Sequence, residues 1–355
     1  MTIWKLRALV RATVFFAALS LVVPAHAEDV PSYKDKTVTM LVGAAPGGGT
    51  DSFARLVAGY LGDRLPGKPT VVVRNMPGAG GVVAANFFYN QAKPDGFTLL
   101  VGSGTESDPL HYRAVNALYD PSKLNFLGGA GRTGTVLLIS KKSAPRLLDK
   151  TQPPVTMGAL SAIRSGMQMT LWGTEYLGWN TRWVTGYAGN NELILALQRD
   201  EVDMTSLAIV DKVNETMATG RFVAVAQSGA LVDGKLVPQP AFGPMPLLSD
   251  MVAGKIVDPV AQQAFEYWKN VTLVGQWLAL PPGTAEPIVA VQRTAFHSMM
   301  QDSEFLQKAL KVNPEMMEMS GPDVAQLLKL LADTPADAMA YMQAMQKKQG
   351  LHIAD

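Results

Sequence analysis

Apolar positions along the chain alternate between strand-like runs and helical spacing, and the changeovers fall at glycine or proline. Residues 38–42 form a β-rich run that stops at Gly43-Ala-Ala-Pro-Gly-Gly-Gly49. Beyond it Phe53, Leu56, Val57, Tyr60 and Leu61 recur along one helix face. Val71-Val-Val73 predicts a second strand, and Gly78-Ala-Gly-Gly81 opens a helix through 84–91. The Pro94-Asp-Gly96 turn leads into a strand over 97–101. This βαβαβ order predicts an α/β domain with a largely parallel sheet.

A second α/β unit follows, with strands expected over 135–140, 155–157, 183–184, 202–204 and 222–226 and helices over 165–177 and 192–198. The last third is helical in pattern, over 285–300, 303–312, 322–333 and 335–346, with Pro322 and Pro335 in first-turn positions. Two methionine clusters, Met316, Met317 and Met319, then Met339, Met342 and Met345, are assigned to helix packing. The proline-rich stretch 234–247 is assigned to a surface connection.

The N-terminus changes the count of charges. Lys5, Arg7 and Arg11 precede an apolar run over 12–23 and then Ala25-His-Ala27, the pattern of an export signal with a small-x-small cleavage site. The run is too short to span a bilayer comfortably. Cleavage after Ala27 leaves 328 of the 355 residues and removes three of the 31 basic ones, so 28 stand against 30 acidic, a net −2. That balance gives no electrostatic case for nucleic acid. The absence of cysteine excludes disulfides, thiolate metal sites, cysteine nucleophiles and a lipid-modified cysteine. The expectation is an exported, periplasmic protein long enough for two domains.

Three loops can carry chemistry. Ala45-Pro-Gly-Gly-Gly-Thr-Asp51 lies between a strand and an amphipathic helix. Its glycines leave backbone N–H groups unshielded, and Thr50 or Asp51 can cap the helix. Such a helix start suits a phosphate or a carboxylate, because free donors and the helix dipole both favour negative charge; an ordinary glycine turn fits the same residues. It lacks the Gly-Lys-Ser/Thr of a P-loop. Gly186-Tyr-Ala-Gly-Asn-Asn191 repeats the arrangement in the second unit, and two such ends across a cleft would clamp one carboxylate. Gly102-Ser-Gly-Thr-Glu-Ser-Asp108 follows the third strand. There Ser103, Thr105 and Ser107 can donate to a ligand oxygen, whereas Glu106 and Asp108 repel an anion, bind an ammonium or hydroxyl, or form a solvated turn.

Catalytic sets are thin. After cleavage three histidines remain, His111, His297 and His352, at no metal-ligand spacing. There is no Gly-x-Ser-x-Gly elbow. Paired carboxylates such as Glu201 and Asp203 are common on strand edges. No catalytic residue, cofactor or metal is assigned.

Taken in order, Val42-Gly-Ala-Ala-Pro-Gly-Gly-Gly-Thr-Asp51, Asn75-Met-Pro-Gly-Ala-Gly-Gly81, Lys93-Pro-Asp-Gly-Phe-Thr-Leu-Leu100, Val184-Thr-Gly-Tyr-Ala-Gly189, Glu201-Val-Asp203 and Leu278-Ala-Leu-Pro-Pro-Gly-Thr-Ala-Glu-Pro287 resemble the extracytoplasmic receptors of tripartite tricarboxylate transporters, the Bug receptors. The resemblance implies a periplasmic-binding-protein type II-like α/β fold, two α/β domains joined by two crossing strands with a ligand cleft between them. It places the domains at 28–135 with 227–355, and at 136–226. It implies a monomeric solute receptor that binds a small organic acid and delivers it to membrane permease subunits, and not an enzyme. The family's glycine loops hold a ligand carboxylate through backbone N–H groups and water. Carried over, they point to Ala45, Pro46, Gly47, Gly48 and Thr50, and to Tyr187, Ala188, Gly189 and Asn190. Ser103 and Thr105 join them from the third loop, and Ser161 from the atypical 158–166 loop, where Arg164 could pair with a second ligand carboxylate. Asp51 is assigned to capping and loop shape. Met76 stands where the family often has arginine, Asp200 where it has glycine, and Tyr-Ala-Gly replaces a lysine-bearing loop, so ligand identity stays open. A ligand sensor presenting solute to a sensor kinase is the main alternative, and a periplasmic enzyme on the same fold a remote one.

Overall fold

The computed structural model describes residues 31–47, 49–114, 117–132, 134–159, 168–187, 190–232, 235–312 and 316–351. The export signal, Gly48, Ser161, Arg164, Ala188, Gly189 and His352 lie outside the described residues.

Two sheets organise the chain. The first contains β1 (Thr37–Val42), β2 (Thr70–Asn75), β3 (Thr98–Gly102) and β4 (Asn125–Arg132), and is completed from far along the sequence by β12 (Gln276–Leu280) and β13 (Met316–Ser320). Its order is β13-β4-β12-β3-β1-β2. The expected parallel pairing holds for β1, β2 and β3; β12 and β13 pair antiparallel, so the sheet is mixed. The second sheet is contiguous in sequence: β5 (Val136–Ser140), β6 (Val155–Ala159), β7 (Thr181–Thr185), β8 (Met204–Leu207) and β9 (Phe222–Gln227), in the order β7-β6-β8-β5-β9. The expected strand over 202–204 instead begins at Met204, just after Asp203, whose carboxylate accepts Thr156 N–H at 2.9 Å. The connection after it contains a hairpin, β10 (Ala230–Val232) and β11 (Lys235–Val237), so stretch 234–247 is not wholly irregular.

In the first sheet alternation sends neighbours to opposite faces. Met40, Val42, Leu99 and Val101 pack under α1 (Gly49–Leu61), α10 (Glu286–Met300) and α11 (Ser303–Val312), with Phe53, Phe296 and Phe305. Leu41, Leu100 and Phe126 face the other side, toward α2 (Val82–Gln91), α9 (Pro259–Leu273) and α12 (Gly321–Ala332). Met316, Met317 and Met319 lie on β13 and not on a helix. Met316 and Met319 are buried, each in a different one of these two layers, a correction to the helical reading.

The second sheet carries α6 (Asn190–Gln198) and α7 (Val210–Ala218), with α5 (Met169–Tyr176) and α8 (Leu248–Val252) on the layer continuous with the first lobe's core. Here α5 docks on α9 and α13 (Ala336–Lys348). Fully buried Trp172 stands edge-on to Phe265 at 4.8 Å, 6.2 Å from Trp268, and stacks on Tyr176 at 5.8 Å. The Tyr176 and Tyr341 hydroxyls meet at 2.5 Å, Gln349 Nε2 donates to the Leu171 carbonyl at 3.0 Å, and Lys348 pairs with Glu175 at 2.7 Å.

Asp200 has φ 59. Aspartate tolerates this left-handed conformation better than most residues. Asp200→Val puts a branched Cβ there and is expected to cost roughly 1–2 kcal/mol, read as a lower urea midpoint with unchanged slope.

Candidate functional site

Strand direction locates the site. β1, β2, β3 and β4 run the same way, and β4 leaves the first sheet at Arg132, just before β5 begins at Val136. β8 and β9 run antiparallel to β5, and β6 and β7 parallel to β8, so all four return toward the crossing. The carboxyl ends of eight strands, four in each sheet, therefore face one gap, where ligands of open α/β sheets sit. The two crossing segments are tied together: Thr135 N–H donates to Ser228 Oγ and Ser228 N–H to the Thr135 carbonyl, both at 2.9 Å. Gly134 (φ 94) is needed beside them, since a Cβ there would lie 2.3 Å from the Gly229 carbonyl oxygen.

The first loop is shaped by a buried carboxylate. The helix begins at Gly49, so Thr50 and Asp51 sit inside its first turn and neither is the capping residue. Asp51 is 1% exposed. It accepts from Gly47 N–H (2.8 Å), Arg55 Nε (2.9 Å) and Asn75 Nδ2 (2.8 Å). Asn75 also donates to the Ala44 carbonyl at 2.9 Å and accepts from Arg55 Nη2 at 3.0 Å. The Arg55 hydrogen bond, with help from Gly47 and Asn75, holds the Asp51 carboxyl down at about 2. Ala45, Pro46 and Gly47 are left exposed at the gap, but the Gly47 amide is committed to Asp51. Arg55 and Asn75 were not singled out from the sequence; the Asp51–Arg55 spacing of four on one helix was the available signal.

On the opposite lobe Gly186 (φ 103) turns β7 toward α6, which starts at Asn190. Tyr187 is half-buried against the core, and burial pushes its hydroxyl upward. Met76 packs against the core.

The third loop differs from expectation. Ser103 is the N-cap of α3 (Gly104–Ser107), and Glu106 returns to Ser103 N–H in a capping box. Glu106 is buried, not solvated, and Asp108 takes the Tyr267 hydroxyl at 2.8 Å. Burial raises both carboxyls. Thr105 is exposed.

Other candidates resolve as structural. Burial works against Asp203, yet hydrogen bonds from Ser143 and Thr156 and the charge of Arg146, 2.6 Å away, hold it below the usual carboxylate range. Glu201 is exposed near Arg199, so the two carboxylates share no site. His111, on α4 (Pro109–Ala114), places Nε2 3.1 Å from the Ala79 carbonyl; His297 Nδ1 lies 2.7 Å from Glu318. Among the described residues no three potential ligands gather to hold a metal, and no helix is long and apolar enough to cross a membrane.

A family model described as tripartite tricarboxylate transporter family receptor matches residues 53–237. A UPF0065 protein of Bordetella pertussis is 26% identical over 311 residues, 84% of this chain and 86% of that protein. Protein BugT of the same organism is 39% identical over 92 residues, 26% of each chain. Among solved structures, a TctC solute binding protein from Polaromonas aligns with a TM-score of 0.65 at 16% identity, covering 89% of this chain and all of that one. An R. palustris protein solved with adipate aligns with a TM-score of 0.53 at 19% identity, over 88% of this chain and 97% of that one.

Proposed function

This chain belongs to the tripartite tricarboxylate transporter receptor family, a family of periplasmic solute-binding proteins, and on that footing we propose that it captures a small carboxylate-bearing ligand in the gap between its two lobes and hands it to a tripartite-type permease. The carrying observation is the first loop. Asp51, Arg55 and Asn75 fix the Gly47 turn at the carboxyl end of β1, beside exposed Ala45 and Pro46. The proposed contacts are Ala45, Pro46, Gly48, Thr50, Tyr187, Ala188, Gly189 and Asn190, together with Ser103, Thr105 and Ser161. Gly47 belongs to the loop's scaffold. The proposed lobes are 28–135 with 227–355, and 136–226, in a mature chain that begins at Glu28.

The test is thermal unfolding of residues 28–355 against organic acids, adipate among them, and their neutral amides. A ligand at about 100 times its dissociation constant adds roughly 2.7 kcal/mol. A rise with an acid and none with its amide is the expected result. A rise only with neutral compounds would discard the carboxylate clamp.

A further inference from the structure

Three loops at the carboxyl ends of β1, β2 and β3 meet on one acid side chain. Glu106 is 3% exposed. A Cβ on Gly81 would lie 2.1 Å from its Oε1, and one on Gly43 2.9 Å, so glycine backbone on both neighbouring loops is what makes room for it. Its Oε2 accepts Ser103 N–H at 3.0 Å and contacts Ser103 Oγ.

Among the described residues the groups around it supply little positive charge. Loop residues 79–81 and the end of β1 present glycine and alanine. From α4 comes His111, whose ring is turned to the Ala79 carbonyl. The segment beyond α4 brings Tyr119, whose hydroxyl donates to the Glu106 carbonyl at 2.6 Å. On its own segment Asp108 is engaged by Tyr267 of α9. The charges of α12 are committed elsewhere, Asp323 to Ser320 and Lys329 to Asp333. A buried carboxylate without a paired cation is costly, and such a group neutralises instead.

We infer that Glu106 sits in the cleft floor as the neutral acid and keeps its proton, donating its O–H in a hydrogen bond to Ser103 Oγ, which leaves the Ser103 hydroxyl hydrogen to be donated to a ligand anion. A hydroxyl has two acceptor positions and one hydrogen. Thr105 N–H takes one acceptor position at 3.3 Å, and the Glu106 O–H takes the other. The single Ser103 hydrogen is then free for an outside acceptor. An ionised Glu106 would take that hydrogen, leave a lone pair toward the gap and add a negative charge beneath it, an arrangement suited to an ammonium group. The proton on Glu106 thus selects acids over amines and is part of the anion site. Burial, opposed by the Ser103 bonds and by His111, raises the Glu106 carboxyl in agreement with the packing. The ligand consequence rests on the receptor reading; the protonation does not.

The first measurement needs no ligand. A carboxyl raised in the folded state gives stability that is complete below its unfolded value of about 4.3 and is lost as pH rises through the folded value. The melting temperatures of wild type and Glu106→Gln are compared from about pH 5 to about pH 9. The difference is expected to move in the variant's favour as pH rises, because glutamine cannot ionise; a difference constant with pH overturns the inference. Should the variant not fold, infrared spectra of wild type labelled with carboxyl-13C glutamate decide instead. A protonated-acid band at neutral pH that moves in Ser103→Ala is expected, and its absence overturns the inference. The second measurement is adipate affinity. It is expected to fall with rising pH in wild type and to stay level in Glu106→Gln; pH-independent binding to wild type overturns the Ser103 coupling. If adipate and the other acids bind at no pH, the carboxylate-receptor reading fails, while the stability comparison still decides the state of Glu106.

Discussion

Asp51→Ala is expected to weaken ligand capture by at least about tenfold, equal to roughly 1.4 kcal/mol, and to lower stability by about 1–3 kcal/mol. The side chain is the common acceptor for Gly47, Arg55 and Asn75. Truncation removes the shared acceptor of Gly47, Arg55 and Asn75 and empties the buried Asp51 site, and losing a buried hydrogen-bonding partner costs about this much. Nothing then fixes the Gly47 turn (φ 84) or the register of the loop on α1. The acid response follows in sign. The Arg55 bond depresses the Asp51 carboxyl to about 2, so its contribution is present above the unfolded aspartate value of about 3.9 and drains as pH falls through about 2. Calorimetric titration with whichever acid shifts the melting curve, together with urea unfolding, reads both effects. Wild-type affinity in Asp51→Ala would separate this network from the binding site.

Trp172→Ala is expected to cost about 3–5 kcal/mol, a fall in melting temperature of roughly 5–10 °C for a chain of this size. The indole fills the junction where α5 meets α9, against Phe265, Trp268 and Tyr176. Among the described residues its Nε1 has no acceptor, so the contribution argued for it is packing and not hydrogen bonding. Trp172→Phe should therefore lose clearly less than Trp172→Ala, in a differential scanning measurement of the two. Equal losses would mean that ring packing is not what holds the lobes at this seam.

The strands and helices of regular period were legible: β1 through α2 and the helices α10 to α13 fall close to the residues where apolar spacing places them. The strand β4 was not. Its sequence, Asn125-Phe-Leu-Gly-Gly-Ala-Gly-Arg132, is dominated by glycines that look like a loop. Each answers to tertiary crowding that local spacing does not encode. A Cβ on Gly128 would meet the Phe296 ring at 2.3 Å, one on Gly129 the Gln276 carbonyl oxygen at 2.8 Å, and one on Gly131 the Met319 sulfur at 2.6 Å. β13 was hidden for a related reason, because methionine carries no strand preference and its partner is that same glycine strand. At the site, the glycine loop and Asp51 stood out by spacing. Asn75 did not, since the chain brings it to Asp51 and Arg55 only through the β1–β2 pairing, while Arg55 was marked only by its spacing of four from Asp51. Glu106 was misjudged although Ser103-Gly-Thr-Glu106 carries a capping-box signature; its burial depends on Gly43 and Gly81, far away in sequence.

The first sheet is a split element: β1 to β4 lie before the second lobe, and β12 and β13 after it. As the chain emerges in order, β3 and β4 have no partner between them until β12 is made, while β5 to β9 already form a closed set of neighbours. The second lobe can therefore mature first, and the first must wait with one edge of β3 and both edges of β4 unpaired, the condition that invites intermolecular pairing. Long-separated pairing of this kind also slows folding. For a chain with this topology, late completion keeps the whole molecule pliable, a useful property if it crosses a membrane before it folds and a hazard if it lingers in a concentrated solution half-made.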